Sequence, residues 1–325
     1  MSATTLQADT LPTPLTGERA DSAPALRSIV FAGDGSPESR VARAAATDLA
    51  LRSGATVHVV AAFIGGLPAA FIDDDSPHDP WRIAHELLRT DSEAIQHAGV
   101  SATTHLGVRS ASEATANVAA QVDADLIVVG GRDLAGVLRL LVGSKSGEVV
   151  TAAHRPVLVL RDSEQSWPPG RVIIGFDHSP AAVRAARVAA AIATLYPGVE
   201  VTLLRAVPPT SKIEAAPDLQ AVHMEFGDLI QSEREYLARH AEALARSTGA
   251  KVTADVVTGA PAAALLNAAR EAGGPVVLVV GTRGLGRVKR FMLGSVSSRV
   301  LHHACVPTLV VPGNAAWISE EHDAA

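Results

Sequence analysis

Aromatic residues and cysteine are scarce in this sequence. Aromatic side chains make up 3% of the 325 residues, so the core must consist mainly of Ala, Val, Leu and Ile. Such a composition suits buried parallel strands that are covered by helices. The single cysteine, Cys305, excludes an internal disulfide framework and fits a reducing cytoplasm. We expect it to be a small buried side chain.

The sequence also lacks a basic excess and long apolar runs. It carries 28 Lys and Arg against 34 Asp and Glu, a net charge of −6, which argues against a protein that coats nucleic acid. No apolar run approaches the roughly 18 residues of a transmembrane helix. Residues 1–25 are polar and rich in Pro and Thr, unlike a signal peptide. We therefore predict a cytoplasmic protein whose partners include neither nucleic acid nor a membrane.

What the sequence does contain is an internal repeat, which decides the fold class. Three segments of the first half match three of the second half in the same order, namely residues 28–37 with 171–180, 126–130 with 277–281, and 155–160 with 306–311. A match of this length and order predicts two copies of one domain. We expect a tail at residues 1–25, a first domain at 26–161, a linker at 162–170, a second domain at 171–313 and a tail at 314–325.

Within each copy, runs of Val, Ile and Leu alternate with Ala-rich helical segments. Alternation of this kind predicts a parallel sheet covered by helices on both faces. Right-handed crossovers then give an α/β, doubly wound, Rossmann-like domain of five strands, with any ligand at the carboxyl ends of the strands. In the second copy we expect strands at residues 172–176, 201–207, 252–257, 276–280 and 308–311, and helices at 181–196, 229–247, 262–272 and 295–303.

The second copy carries a glycine motif suited to binding phosphate. Gly281 and Gly284 follow a buried strand, and after nine further residues Gly294 and Ser295 open the next helix. Glycines let backbone N–H groups approach a ligand, and the first N–H groups of a helix are unpaired at the positive end of its dipole. Both features converge on one anion site, to which the hydroxyls of Ser295 and Ser297 can add donors.

A purely structural interpretation of these residues stays open at this point. Glycines after strands are often turns, and Ser295 can be an ordinary N-cap. Asp34 and Asp177, which follow the first strand of each copy, can be N-caps as well. Two other phosphate motifs do not fit, because the sequence has no G-x-x-x-x-G-K-[S/T] and its glycine order differs from G-x-G-x-x-G. The full glycine constellation between a strand and a helix favours a functional site.

The spacing G-x2-G-x9-G-S, the Asp after the first strand and the Pro-x-Leu-Val-Val final strand resemble the ATP-binding branch of the universal stress protein family. Two such domains in one chain resemble the tandem members of actinobacteria. The resemblance implies ATP, with Mg²⁺, in the second copy and adenine near Asp177. The residues implied at this site are Phe176, Asp177, Ala206, Val207, Val280, Gly281, Arg283, Gly284, Gly294, Ser295, Val296 and Ser297.

The first copy departs from the family motif. Its segment has Asp133 in place of the second glycine, which puts a carboxylate where phosphates would lie. Two unit charges about 4 Å apart repel by roughly 4 kcal/mol at an effective dielectric near 20. Arg109 also stands where the second copy has Gly259. We expect a weak or empty first site, whose candidate residues are Asp34, Ala62, Gly130, Gly143, Ser144, Lys145 and Ser146.

The resemblance also implies that such domains pair through their final strands, in a homodimer or within one chain. Here the pairing would join residues 157–160 to 308–311 and cover sheet edges that would otherwise be open. The function implied is a nucleotide-responsive stress and signalling module that acts on a protein partner. An enzyme that hydrolyses ATP slowly and a nucleotide-free interaction scaffold remain as alternatives. We expect no catalytic residues and no metal site, since the adjacent His302 and His303 would point apart on a helix.

Overall fold

The structure is a computed structural model that describes residues 26–62, 79–108, 110–131, 155–161, 167–207, 219–282 and 294–313, with only the backbone at 219–226. The first copy contains β1 (Ser28–Ala32), α1 (Pro37–Ser53), β2 (Thr56–Ala62), α2 (Pro80–His97), β3 (Ala102–Gly107), α3 (Ala111–Gln121), β4 (Leu126–Gly130) and β5 (Val157–Leu160). The second contains β6 (Arg171–Gly175), α4 (Pro180–Ala193), β7 (Glu200–Val207), α5 (Leu219–Thr248), β8 (Lys251–Thr258), α6 (Pro261–Glu271), β9 (Val276–Gly281), α7 (Ser295–His303) and β10 (Thr308–Val311). Across these ranges no helix is both long enough and apolar enough to cross a membrane.

Every strand and helix expected in the second copy is present, most with bounds within two residues of the prediction. Two helices differ more. α4 ends at Ala193, three residues before the expected end, and α5 begins at Leu219, ten residues before the expected start. Gly227 and Asp228, two weak helix formers, interrupt the helical pattern in the first part of α5, although the helix continues through them.

Both copies start their first helix in the same way. Ser36 and Ser179 are the N-caps of α1 and α4, and each is followed by Pro at the start of the helix. Each hydroxyl accepts a hydrogen bond of 3.1 Å from the backbone N–H three residues further on. The N-cap interpretation of Asp34 and Asp177 is therefore wrong, because each lies two residues before the cap.

The ten strands form one sheet in the order β3-β2-β1-β4-β5-β10-β9-β6-β7-β8. Each copy supplies five parallel strands, and the copies meet where β5 and β10 pair antiparallel, with Leu158 opposite Leu309. This confirms the doubly wound α/β fold and the pairing of final strands within one chain. Neither final strand is left as an open edge for association with another chain.

Apolar side chains pack against both faces of the sheet. The strands at the junction, β5 and β10, are buried along their whole length, whereas the outer strands β3 and β8 are partly exposed. One core cluster contains Leu49 of α1 and Leu237 of α5, and the other contains Ala119 of α3 and Leu301 of α7. Each cluster draws residues from both copies, so the two domains share a continuous core on either side of the sheet.

A polar and aromatic cluster links the copies a second time. Asp48 of α1 accepts hydrogen bonds from the indole N–H of Trp167 (2.9 Å) and from the hydroxyl of Tyr196 (2.8 Å). Arg52 pairs with the other oxygen of Asp48, and its guanidinium lies 4.5 Å from the centre of the Tyr196 ring. Burial raises the pKa of the Tyr196 hydroxyl well above its usual range, and Asp48 adds to this shift. These four residues, Asp48, Arg52, Trp167 and Tyr196, form the inter-copy cluster, which connects α1 to Trp167 before β6 and to Tyr196 after α4.

Cys305 lies in the turn between α7 and β10, and its side chain is exposed. The expectation of a buried cysteine is wrong, because the adjacent Ala304 takes the buried position in this turn. The thiol is therefore open to solvent and to soft metal ions, which any metal-binding experiment on this chain has to take into account.

Candidate functional site

The candidate site of the second copy lies at the carboxyl ends of three adjacent strands. The chain passes from β6 to β7 on one side and later to β9 on the other, so the strand order reverses at β6. Doubly wound folds bind ligands at such reversals. The residues that the structure brings together here are Phe176 and Asp177 after β6, Ala206 and Val207 at the end of β7, and Val280 and Gly281 at the end of β9.

At the end of β7, backbone groups alternate between the two neighbouring strands. The Leu204 carbonyl accepts from the N–H of Phe176 (3.0 Å) on the β6 side, and the Val207 carbonyl accepts from the N–H of Gly259 (2.9 Å) on the β8 side. Because these directions alternate along a strand, Ala206 directs its N–H and C=O to the β6 side, beyond the end of β6. The backbone of Ala206 can therefore contact a ligand, whereas the Val207 carbonyl is already engaged.

Asp177 is exposed in the loop between β6 and α4. Its Oδ1 accepts hydrogen bonds from the backbone N–H (3.2 Å) and from the hydroxyl (2.5 Å) of Ser179. The first copy repeats this turn, because Oδ1 of Asp34 accepts from the N–H of Ser36 (2.9 Å). Each aspartate thus uses one oxygen to hold its loop in shape. Among the described residues, none donates a hydrogen bond to the Oδ2 of either aspartate.

Three partly buried charged or titratable side chains fasten this loop to α5. His178 has a φ of 63°, and its Nε2 lies 2.6 Å from Oε2 of Glu233. The same oxygen lies 3.3 Å from Nε of Arg205 on β7, and the three side chains are only 17%, 15% and 22% exposed. We call His178, Arg205 and Glu233 the loop anchor. Sequence reasoning missed it, because its contacts join residues 55 and 28 positions apart and no local pattern marks them.

Gly281, at the end of β9, is required by packing. A Cβ at this position would lie 2.7 Å from the carbonyl oxygen of Ala181 in the first turn of α4. In the first copy, a Cβ at Gly130 would lie 2.7 Å from the backbone nitrogen of Ser39 in α1. The first glycine of each motif therefore lets a helix pack against the end of the strand. This packing explains the glycine independently of any ligand.

The helix α7 begins with backbone donors that have no intrahelical partner. Its N-cap is Gly294, which has no side chain to bond the N–H groups of the first turn. Since β9 and β10 are parallel, α7 returns the chain towards the amino ends of the strands, so its N-terminus lies on the carboxyl side. Ser295 is exposed, whereas Ser297 is buried and its hydroxyl donates to the Gly294 carbonyl (3.1 Å). The Ser297 hydroxyl is thus used within the helix, and its backbone N–H is the group left for a ligand.

Part of the predicted site lies outside the described residues. In the second copy this applies to Arg283 and Gly284, and in the first copy to Arg109, Asp133, Gly143, Ser144, Lys145 and Ser146. These residues stay predictions. The remaining first-copy candidates, Asp34, Ala62 and Gly130, lie at the carboxyl ends of the adjacent strands β1, β2 and β4, in the same arrangement as their counterparts in the second copy.

Glu38 adds a carboxylate to the first copy where the second copy has none. It lies in the first turn of α1, beside Gly130, at the repeat position that Ala181 holds in α4. Its Oε2 is buried, and no described residue forms a hydrogen bond with it. An alignment of residues 28–39 with 171–182 places Glu38 opposite Ala181, so this difference could have been found from the sequence.

Arg161, which follows β5, also distinguishes the copies, since Pro312 follows β10 at the same repeat position. Its guanidinium donates to the carbonyl of Gly131 (3.2 Å), after β4, and to the carbonyl of Leu301 in α7. Leu301 is in the last turn of α7, where the helix dipole favours a cation. Burial lowers the pKa of this guanidinium. Arg161 therefore connects the candidate ligand edge of the first copy to the second copy.

Comparisons with known proteins agree with this geometry. The model of the universal stress protein family matches residues 25–161 and 169–312, which is most of the chain. The chain belongs to the universal stress protein family. A universal stress protein from Mycobacterium tuberculosis is 30% identical over 301 residues, which cover 87% of this chain and 96% of that relative. The two family matches make this chain a tandem universal stress protein.

Other universal stress proteins extend the comparison. One from Mycolicibacterium smegmatis is 32% identical over 224 residues, which cover 64% of this chain and 69% of that relative. The crystal structure of a universal stress protein from Archaeoglobus fulgidus is similar with a TM-score of 0.58, at 18% identity, over 88% of this chain and 98% of that one. At this identity the similarity supports the universal stress protein fold and carries no statement about ligands.

Proposed function

We propose that this tandem universal stress protein is a nucleotide-responsive stress and signalling module that binds ATP, with Mg²⁺, in its second copy. The observation that carries the proposal is the start of α7, where a glycine N-cap leaves three N–H groups without intrahelical partners. They lie on the side of the sheet where β9 ends at Gly281. Unpaired N–H groups at the positive end of a helix dipole favour a polyphosphate. We assign the module to the cytoplasm, as its composition suggests.

The two ends of the nucleotide would be held by different parts of the site. The phosphates would contact the backbone at Val280 and Gly281, the predicted Arg283 and Gly284, and the start of α7 at Gly294, Ser295, Val296 and Ser297. Adenine would lie against the backbone of Ala206 and Val207, beside Phe176 and Oδ2 of Asp177. Bound ATP supplies a large negative charge at the start of α7, and a protein partner would respond to its presence or loss.

We further propose that the first copy is a weak or empty site that acts as a scaffold or regulatory partner for the second. Glu38 supports this, because its backbone lies beside Gly130 at the end of β4 and its side chain adds a buried carboxylate oxygen that the second copy lacks. The predicted Asp133 would add a second negative charge at the same edge. We take residues 26–161 and 171–313 as the two domains and 162–170 as their linker, in keeping with the extent of the family matches.

Released nucleotide provides the direct test. The purified chain is denatured, and ATP and ADP are measured per chain by chromatography, before and after incubation with ATP and Mg²⁺. We compare the parent with Gly284→Asp, which copies the first-copy residue into the second motif. The matched control is Gly170→Asp, because Gly170 is exposed, a Cβ there would make only ordinary contacts with Pro275, and the residue lies before β6, at the amino ends of the strands.

About one ATP per chain in the parent and in Gly170→Asp, with none in Gly284→Asp, is the expected result. About two per chain would contradict the weak first site while leaving the second intact. No nucleotide after incubation would overturn the proposal and favour the interaction scaffold. Conversion of bound ATP to ADP, if seen in the parent and lost in Gly284→Asp, would establish the alternative of slow hydrolysis.

A further inference from the structure

Two histidines on neighbouring strands of the first copy converge on one point. His58 of β2 and His105 of β3 lie on the same face of the sheet, and Nδ1 of His58 is 3.1 Å from Nε2 of His105. The Thr103 hydroxyl lies 2.7 Å from the first nitrogen and 3.5 Å from the second. We call His58 and His105 the histidine pair. Its two nitrogens and this hydroxyl surround a single position at the outer edge of the sheet.

The separation of the two nitrogens fits a shared metal ion. Imidazole nitrogens bind Zn²⁺ at about 2.0–2.1 Å. Two nitrogens on one ion are then about 2.9 Å apart at a right angle and about 3.3 Å apart at the tetrahedral angle. The observed 3.1 Å lies between these values. We propose that the histidine pair binds one divalent transition-metal ion of the Ni²⁺, Cu²⁺ and Zn²⁺ class, with the Thr103 hydroxyl and water at the remaining positions.

The contact between the two rings suits this role. Metal ions bind the neutral form of imidazole, and the hydrogen bond between the rings already brings the lone pair of one nitrogen to the shared position. The hydrogen bond between the rings needs one N–H, whereas the metal needs a lone pair on both nitrogens. The donating ring therefore moves its proton to its other nitrogen on binding, and both rings stay neutral.

An ion can reach this position from solvent. Both histidine side chains are partly exposed, and Thr103 is exposed. Because β3 is the outer strand of the ten-stranded sheet, no strand among the described residues covers the pair from that side. An open position with two protein nitrogens leaves room for water ligands, so we expect a reversible site of moderate affinity rather than a closed structural site.

The second copy provides an internal contrast. The strand registers place Thr202 at the position of His58, Thr253 at that of Thr103 and Asp255 at that of His105. The hydroxyls of Thr202 and Thr253 lie 3.1 Å apart. Hydroxyl and carboxylate oxygens are poorer ligands than imidazole for this class of metal. The proposed site therefore belongs to the first copy.

The proposed metal site stands apart from the nucleotide proposal. His58 lies four residues before Ala62, where β2 ends, which is about 13 Å along the strand at roughly 3.3 Å per residue. The ligand edge of the second copy belongs to different strands altogether. Metal binding and ATP binding can therefore be measured independently, and failure of one leaves the other in place.

Titration calorimetry with NiCl₂ on the full, untagged chain tests the inference. All variants carry Cys305→Ser, since the exposed thiol would bind the same metals. We compare this parent with His58→Gln, with His105→Gln and with His302→Gln, an exposed histidine on α7 that serves as the control. We expect one Ni²⁺ per parent chain, bound more than about tenfold more weakly by either of the first two variants and equally well by the control.

Thermal unfolding with and without Ni²⁺ separates lost ligation from lost folding. The ion should raise the melting temperature of the parent and of His302→Gln, because it binds the folded chain, and should leave His58→Gln unchanged. A folded His58→Gln chain that binds Ni²⁺ as tightly as the parent would overturn the proposal. Absence of any binding by the parent would overturn it as well.

Discussion

At the scale of single residues, Gly130 and Gly281 occupy positions in the glycine motif where the packing of the fold itself requires a glycine. Each ends a central strand at a point where the first turn of a helix leaves no room for a Cβ. A motif search interprets these glycines through the ligand, although the fold needs them even without one. Substitution at either residue therefore tests stability first and binding second.

Gly281→Ala should lower the free energy of unfolding by about 1–3 kcal/mol, because the new methyl group would overlap the Ala181 carbonyl. Urea denaturation followed by circular dichroism measures this change. The control is Gly227→Ala in α5, which has open space around it and should raise the stability by up to about 1 kcal/mol. Equal stability of parent and Gly281→Ala would show that the helix can move away without cost.

Removal of two carboxylates should create a nucleotide site in the first copy. The double variant Glu38→Ala, Asp133→Gly gives the first copy the residues that the second has at these positions. Each removed charge relieves a repulsion of up to roughly 4 kcal/mol at about 4 Å and an effective dielectric near 20. We expect released ATP to rise from about one towards two per chain. Either single variant should give less, and an unchanged value would mean that other residues keep the first site empty.

At the scale of elements, the strand pair β2–β3 makes stability depend on pH. The folded-state pKa values of His58 and His105 lie below the ordinary 6.5, so the unfolded chain takes up protons more readily. The contribution of these two residues to stability is then largest above pH 6.5 and is lost as the pH falls from there through their folded-state pKa values. Each extra proton contributes at most about 1.4 kcal/mol per pH unit.

The double variant His58→Gln, His105→Gln should show a shallower loss of stability between about pH 7.5 and about pH 5. Urea denaturation at several pH values in a metal-free buffer measures the slope. His240, whose pKa burial also lowers, remains in the variant and should keep part of the dependence. An unchanged slope would assign the whole pH dependence to His240 and other groups.

The loop anchor joins two elements whose contact no local pattern could reveal. Glu233→Gln keeps the shape of the side chain but removes the charge that faces His178 and Arg205. We expect a loss of about 1–3 kcal/mol in stability, because the hydrogen bonds to a charged, partly buried group are weakened. If Asp177 contacts adenine, ATP affinity should fall too. The control is Glu235→Gln, two residues further along α5 at an exposed position. It should change neither the stability nor the ATP affinity.

The repeat and the buried apolar runs predicted the fold, since parallel strands with covered faces have a strong sequence pattern. The pairing of β5 with β10 was implied by the family resemblance alone, and the structure confirms it. The loop anchor and the histidine pair could not be predicted, because they depend on strand register and on contacts between distant segments. The exposure of Cys305 could not be predicted either. A single residue in a turn has no periodic pattern of apolar residues that would indicate whether its side chain is buried.

At the scale of the whole molecule, the copies are joined by the sheet and by the inter-copy cluster. Both core clusters run through the junction, so we expect the two domains to unfold together. The junction and the cluster lie on different elements, because β5 pairs with β10 while α1 contacts the segment after α4. Loss of the cluster should therefore weaken the molecule without separating its sheet.

Asp48→Ala should destabilise the whole chain by about 2–4 kcal/mol, because Trp167 and Tyr196 lose their shared acceptor in a partly buried contact. The melting temperature and the number of unfolding transitions, measured by calorimetry, report this effect. Glu93→Ala removes an exposed ion pair of α2 and should change the stability by less than about 0.5 kcal/mol. Two separate transitions in Asp48→Ala would show that the sheet junction alone does not make the domains cooperative.

The antiparallel junction of β5 and β10 places a twofold-like assembly inside one polypeptide. Dilution cannot take its halves apart, because one polypeptide contains both and keeps their effective concentration high at any amount of protein. In a dimer of identical subunits, every substitution changes both halves at once. Here each half can change alone, which is how Glu38 and the histidine pair occur on one side only. Each molecule would then carry one nucleotide position and one metal position in a fixed stoichiometry of one to one.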